Sequence, residues 1–230
     1  MTTEPATSTS HGKRRGGDGR AIIEAAALRT FYARGYYGTS IRDIAAEANM
    51  TAASLYYHFT GKQDILCAVM MQIMREALRT TRSALLRAGG TPADQLTGLV
   101  RAWVEFHAQR QVEARVGSAE LNSLEPGGRQ LVVALRDEQE QMFREVVYHG
   151  VEKGVFQTPH ALEAARAIIA MGTAVSTWYR PDGATTPQGL AETYADLALA
   201  IVQSKAGPAP LRAGPATRAD PYNPEAEKCA

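Results

Sequence analysis

Apolar side chains recur at helical spacing along nearly the whole chain, and no segment alternates with a period of two for long enough to be a strand. Ile23, Ala27 and Phe31 repeat every fourth residue with Ala26 beside them. They predict a helix over roughly 19–34, ended by Gly35 as its C′ residue. Ile41, Ile44, Ala45 and Ala48 then share one face of a short second helix, leaving Arg42, Asp43 and Glu47 outward. Thr39 or Ser40 supplies its N-cap, and Asn49 sits where it must stop, asparagine being tolerant of the left-handed conformation. Thr51 caps a third short helix that turns Leu55 and Phe59 inward. Thr60 and Gln63 make a T-x-x-Q capping box at the start of a long helix over roughly 62–88.

Further helices are predicted over roughly 92–110, 112–124, 129–153, 159–180 and 187–204. Gly89-Gly90-Thr91-Pro92, Pro126-Gly127-Gly128, Gly154 and Pro181-Asp182-Gly183 punctuate them. The fold class is therefore all-α, about nine helices, with three in a small N-terminal head (roughly 19–64) and the rest in a C-terminal bundle (roughly 65–204). Residues 1–18 are rich in Thr, Ser and Gly and carry Lys13, Arg14 and Arg15, which predicts a disordered basic arm. Five prolines beyond Gly207 predict a disordered tail over roughly 205–230.

Charge adds little. Residues 1–62 hold eight Lys/Arg against five Asp/Glu, and the remainder 17 against 19, so a modest basic bias lies on the head. Two cysteines, Cys67 and Cys229, make neither a disulfide framework nor a metal site. No apolar run approaches the roughly 18 residues of a membrane span, so a soluble, cytoplasmic protein is expected. No cofactor is implied. Gly61-Lys62 lacks the upstream glycine of a phosphate loop. Glu145/His149 and His160/Glu163 are metal-compatible pairs, but the matching carboxylates of a di-metal bundle are absent. A helical-bundle enzyme and a pure protein-interaction module remain the rival readings.

Two short helices joined by a tight turn form a helix-turn-helix, whose second helix enters the DNA major groove. Ala52, Ala53 and Ser54 are small enough for close approach to the groove, where an alanine methyl meets thymine and a serine hydroxyl bonds a base edge. Tyr56 and His58 offer hydrogen bonds at the groove's lip, and Lys62 offers a cation to phosphate. The run ARGYYGTS, IRDIAAEANM, LYYHFTGKQDIL resembles the N-terminal domain of TetR-family transcriptional regulators, over roughly residues 20–70. Asn49 and Met50 depart from the family's usual Gly and Val, but can supply the same helix stop and apolar plug. By that resemblance, Thr39, Ser40, Arg42, Thr51 and Tyr57 join the DNA-contacting set.

Double-stranded operator DNA read by two heads needs a symmetric homodimer. The predicted dimer surface is the last two large helices, through Ala164, Ala167, Ala170, Gly172, Ala174, Ala191, Ala195 and Ala198. The resemblance also implies a body that binds a small effector and thereby acts as a releasable repressor. Candidate lining residues are Trp103, Phe106, His107, Leu121, Leu124, Met142, Phe143, Val147, Ile168, Met171 and Trp178, a mostly apolar set that suits an apolar ligand. The segment RDEQEQMFREVVYHGVEKGVF, with WYRPDG after it, is similar to the TetR branch that answers to acyl-CoA thioesters in lipid catabolism. Arg110, Arg115, Arg129, Arg136 and Arg144 are the cations available to an acyl-CoA's phosphates.

Overall fold

A computed structural model describes residues 16–204, and the basic cluster, the Pro-rich tail and Cys229 lie outside the described residues. All the regular structure within them is helical: α1 (Gly16–Arg34), α2 (Ile41–Glu47), α3 (Ala52–His58), α4 (Lys62–Arg87), α5 (Pro92–Gln109), α6 (Gln111–Ala119), a 3-10 turn (Glu120–Ser123), α7 (Pro126–Glu152), α8 (Ala161–Trp178) and α9 (Pro187–Ile201). None of the described helices is long and apolar enough to cross a membrane.

The head closes over Ile23, Ala27, Phe31, Ile44, Leu55 and Phe59, all essentially without solvent exposure. Burying a side chain the size of Ile, Leu or Phe stabilises by about 1.5–3 kcal/mol, so Ile23, Phe31, Ile44, Leu55 and Phe59 carry most of what holds α2 and α3, too short to persist alone, against α1. Left-handed backbone ends α1 at Gly35 (φ 68°), which has no Cβ to oppose it, and separates α2 from α3 at Asn49 (φ 53°), whose short polar side chain tolerates it. Two ion pairs brace α1 against α2, Arg29–Glu47 and Arg34–Asp43.

α4 starts in the head and runs into the body, so the two share one continuous rod. In the body α5 is central, with α4, α7, α8 and α9 packed around it. Backbone N–H groups of Gln157 and Thr158 donate to the Val202 carbonyl (3.0 and 3.2 Å), tying the α7–α8 connection to the end of α9.

Three expectations need correction. Pro126-Gly127-Gly128 does not separate helices but opens α7: proline occupies the first turn, where its missing N–H costs nothing. The Thr60/Gln63 capping box is not formed. Gly61 is the N-cap, Thr60 N–H donates to Asp64 Oδ2 (3.0 Å), and Gln63 reaches across to the body instead. The Ala/Gly stripe of the last helices divides: Ala164, Gly172, Ala191, Ala195 and Ala198 are buried within the chain, while Ala167, Ala170 and Ala174 face outward. Small residues there serve first to let the chain's own helices approach, Gly172 lying directly against the Trp103 indole.

Gly150 shows how tight this packing is, because a Cβ there would land inside the Phe156 ring, itself fully buried. Gly150→Ala is expected to lose about 1–3 kcal/mol of unfolding free energy by overpacking, measured as a lowered urea midpoint at unchanged slope.

Candidate DNA-binding face and effector cavity

The outer face of the head is built by its caps. Ser40 rather than Thr39 caps α2: its hydroxyl accepts from Asp43 N–H (3.2 Å), and Asp43 Oδ2 accepts from Ser40 N–H (2.8 Å). These Ser40 hydrogen bonds, with Arg34 nearby, hold the Asp43 carboxyl below the usual carboxylate range. Thr51 caps α3 by accepting from Ser54 N–H (3.1 Å). The caps fix the angle at which α3 is presented. Arg42, Thr51, Ala53, Tyr56 and Tyr57 are exposed there, Ala52 and Ser54 half-buried, and Arg42 takes part in no ion pair among the described residues.

Three of the expected contact residues are turned elsewhere. Thr39 is buried, its hydroxyl donating to the Gly35 carbonyl (2.8 Å), because it pins the turn after α1. Lys62 points inward: its ammonium donates to the carbonyls of Tyr36 (2.9 Å) and Thr39 (2.7 Å) and lies over the Tyr36 ring. Its ammonium thereby closes the turn after α1. His58 is half-buried and tucked beside Gly19 of α1, its ring edge-on to Tyr57. A residue not anticipated is Tyr37, 82% exposed beside the same face. Its signal was the aromatic pair Tyr36-Tyr37 at the end of α1, of which only the first is needed by the core.

Head and body meet at a polar joint. Glu120, nearly buried in the 3-10 turn, accepts from Tyr36 N–H (3.1 Å) with one oxygen and from the Ser123 hydroxyl (2.6 Å) with the other. Gln63 donates to the Tyr36 hydroxyl and the Ser123 carbonyl (both 2.8 Å) and accepts from Glu125 N–H (3.1 Å). Sequence reading gave Gln63 a different task, in a capping box with Thr60, and missed Glu120, which lies in no motif.

Between α4, α5, α6, α7 and α8 lies a cavity of about 190 Å³. Of the expected lining residues it includes Trp103, Phe106 and His107. Leu121, Leu124, Met142, Phe143, Val147, Ile168, Met171 and Trp178 are not on its wall. Phe143, Val147 and Ile168 are core, fully buried behind it, and Trp178 is half exposed and stacked on Tyr194. The cavity instead uses Ile73, Met74 and Ala77 of α4, Ala114, Gly117 and Ser118 of α6, Arg136, Gln139 and Glu140 of α7, and Ile169 and Thr173 of α8. A signal for part of this set existed. Thr81 and Gln139 interrupt the apolar faces of α4 and α7, and they meet, the threonine hydroxyl lying 3.0 Å from Gln139 Oε1. Arg136 donates to the Gly117 carbonyl (2.5 Å), and Glu140 is paired with Arg166 (3.1 Å). Of the other cations proposed for phosphates, Arg110 is held by Glu113, and Arg115 bonds Tyr32 and Thr177.

A capped helix-turn-helix on a helical body with its own cavity defines a DNA-binding regulator with a separate small-molecule domain. Residues 23–69 match the family described as bacterial regulatory proteins, tetR family, and residues 89–202 match the tetracyclin repressor-like C-terminal domain. The chain belongs to the TetR family of transcriptional regulators. It is similar to the HTH-type transcriptional repressor KstR2 of Mycobacterium tuberculosis, 28% identical over 183 residues, covering 79% of this chain and 88% of that protein. The crystal structure of a tetR-family bacterial regulatory protein from Rhodococcus RHA1 superposes with a TM-score of 0.76 at 31% identity, over 84% of this chain and 98% of that one. AibR, solved in complex with isovaleryl coenzyme A and operator DNA, gives 0.71 at 25% identity, over 78% and 96%. The chain is accordingly a DNA-binding transcriptional repressor by family, and the family is one of regulators rather than enzymes.

Burial pushes the His107 imidazole down to about 4 from 6.5, while its Nδ1, within 2.8 Å of the Trp103 carbonyl, partly opposes the shift. The folded state therefore binds this proton less readily than the unfolded chain. Its stability contribution is complete above pH 6.5 and is lost as pH falls from there toward 4. The loss amounts to about 3 kcal/mol. Urea unfolding between pH 7 and pH 4.5 should show a shallower pH dependence for His107→Gln than for the unsubstituted chain.

Proposed function

We propose that this repressor binds a palindromic operator as a homodimer and is released when the apolar part of an effector, such as the acyl group of an acyl-CoA ester, enters the cavity. The observation that carries the reading is the continuity of α6. Its last turns, at Gly117 and Ser118, form cavity wall, and the chain then passes directly into the 3-10 turn whose Glu120 grips Tyr36 beside the helix-turn-helix. An effector that fits better with α6 displaced shifts that joint, and with it the angle of the head. AibR's complex with an acyl-CoA and operator DNA supports the effector class.

For the dimer, support comes from the outward apolar side chains on α8 and α9: Trp178 (50% exposed), Leu197 (47% exposed), Ala170 and Ala174. Single modules read few base pairs, and pairing two of them supplies operator affinity. On the head, Arg42, Thr51, Ala53, Tyr56, Tyr57 and Tyr37 are the DNA-contacting set, with the half-buried Ala52 and Ser54 setting how closely α3 approaches. The exposed caps at Ser40 and Thr51 turn backbone toward phosphate.

Fluorescence anisotropy on the DNA upstream of this protein's own gene tests the reading. Tight binding with a steep salt dependence is expected, weakened by about 1–3 kcal/mol in Arg42→Ala. Arg42→Ala binding at full strength, with the salt slope unaltered, refutes the docking face. A second outcome tests the joint: an acyl-CoA such as isovaleryl-CoA should weaken operator binding about 5–150-fold, and Glu120→Ala should bring that ratio close to one.

A further inference from the structure

The cavity's 190 Å³ is little more than the ~150 Å³ of an engineered protein cavity that takes up benzene. It therefore holds an apolar group of about six to eight heavy atoms. On the α7 and α8 side Phe143, Val147 and Ile168 close it as buried core, and Ile73 and Phe106 stand between it and a second, larger hollow that reaches α1. The rim is formed by Ser118, Arg136, Glu140, Ile169 and Thr173, the lining residues that keep contact with solvent, so a bulky carrier can only lie outward.

The wall's polar groups are few and unevenly committed. Gln139 is 2% exposed; its Oε1 accepts from the Thr81 hydroxyl, and its Nε2 is buried with no partner. One turn away Arg136 spends a single N–H on the Gly117 carbonyl, leaving further donors on its guanidinium. Glu140 is already neutralised by Arg166. The wall thus holds donors with spare capacity, and an unmet buried N–H costs about 1–3 kcal/mol, a cost that a ligand oxygen placed there removes.

Resting on the effector reading above, we infer that the cavity selects a short acyl group of about six to eight heavy atoms, whose carbonyl oxygen accepts from the Gln139 amide and the Arg136 guanidinium, and that it excludes long fatty acyl chains and four-ring skeletons. Branched or single-ring acyl groups fill the space between Ile73, Ala77 and Phe106 best. Both a thioester and a free acid present an oxygen acceptor: the thioester a single neutral carbonyl with its carrier leaving through the rim, the free acid an anionic pair of oxygens with no carrier.

Isothermal titration of the full chain tests this without any knowledge of the operator. The probes are isovaleryl-CoA, benzoyl-CoA, isovalerate, benzoate, palmitoyl-CoA below its micelle concentration, and CoA itself. At least one short acyl probe should bind about tenfold or more tighter than both palmitoyl-CoA and CoA. A thioester or a free acid as the tight binder identifies the carrier, and either supports the inference. Gln139→Leu, checked for an unchanged fold by circular dichroism, should weaken the short probe about tenfold. Palmitoyl-CoA binding as tightly as the short probes overturns the inference. If it also releases operator DNA, the effector reading itself survives. Undiminished binding by Gln139→Leu overturns the carbonyl anchor, and failure of every probe on a chain that still binds DNA overturns the ligand class. Should Gln139→Leu not fold, the probe series on the unsubstituted chain decides alone.

Discussion

Tyr36, in the turn after α1, lies where the head touches the body, and its backbone N–H finds its acceptor across that contact. Its N–H goes to the Glu120 carboxylate of the body, its carbonyl to the Lys62 ammonium, and its hydroxyl to the Gln63 amide. The nearly buried Glu120 carboxylate would carry a heavy penalty without its donors, Tyr36 N–H and the Ser123 hydroxyl, so the joint favours one relative angle of head and body. That constraint makes α1, α4 and the 3-10 turn a single mechanical unit. Rigid helices on either side then transmit a displacement instead of absorbing it.

The body makes the complementary compromise. Close packing around α5 is interrupted where Ala77, Ala114 and Gly117 face one another, and small side chains there leave space that larger ones would fill. An unfilled cavity and an orphaned Gln139 N–H both cost stability. Structure that weakens the apo state at one place, next to the segment leading to the joint, is what a ligand can exploit. Filling the cavity stabilises only the arrangement that fits the ligand, and that differential is the whole of the regulatory free energy.

On the DNA side the division of labour is between residues that present the recognition helix and residues free to touch a nucleic acid. Thr39 and Lys62 belong to the first group, since both are bonded to carbonyls of the turn after α1. Arg42, Tyr37, Tyr56 and Tyr57 have no comparable internal commitment that buries them. Positioning by the first group limits the freedom the second must lose on binding.

Local chemistry was enough to determine the helical class, the helix-turn-helix and most helix limits, because caps, left-handed stops and fourth-residue periodicity act within a few residues of one another. Ser40, Asn49, Thr51 and Gly35 each do in the structure what their side chains dictate. Tertiary structure alone decided the rest. Whether Lys62 meets phosphate or a carbonyl depends on a turn more than twenty residues away in sequence. Whether Phe143 lines a ligand or packs in core depends on which turn of α7 faces α6, and helical periodicity cannot specify that neighbour. The cavity is a property of five helices meeting, made largely from small and polar side chains whose absence of bulk leaves no periodic trace. Composition names the available groups; only packing decides which of them are left without a partner.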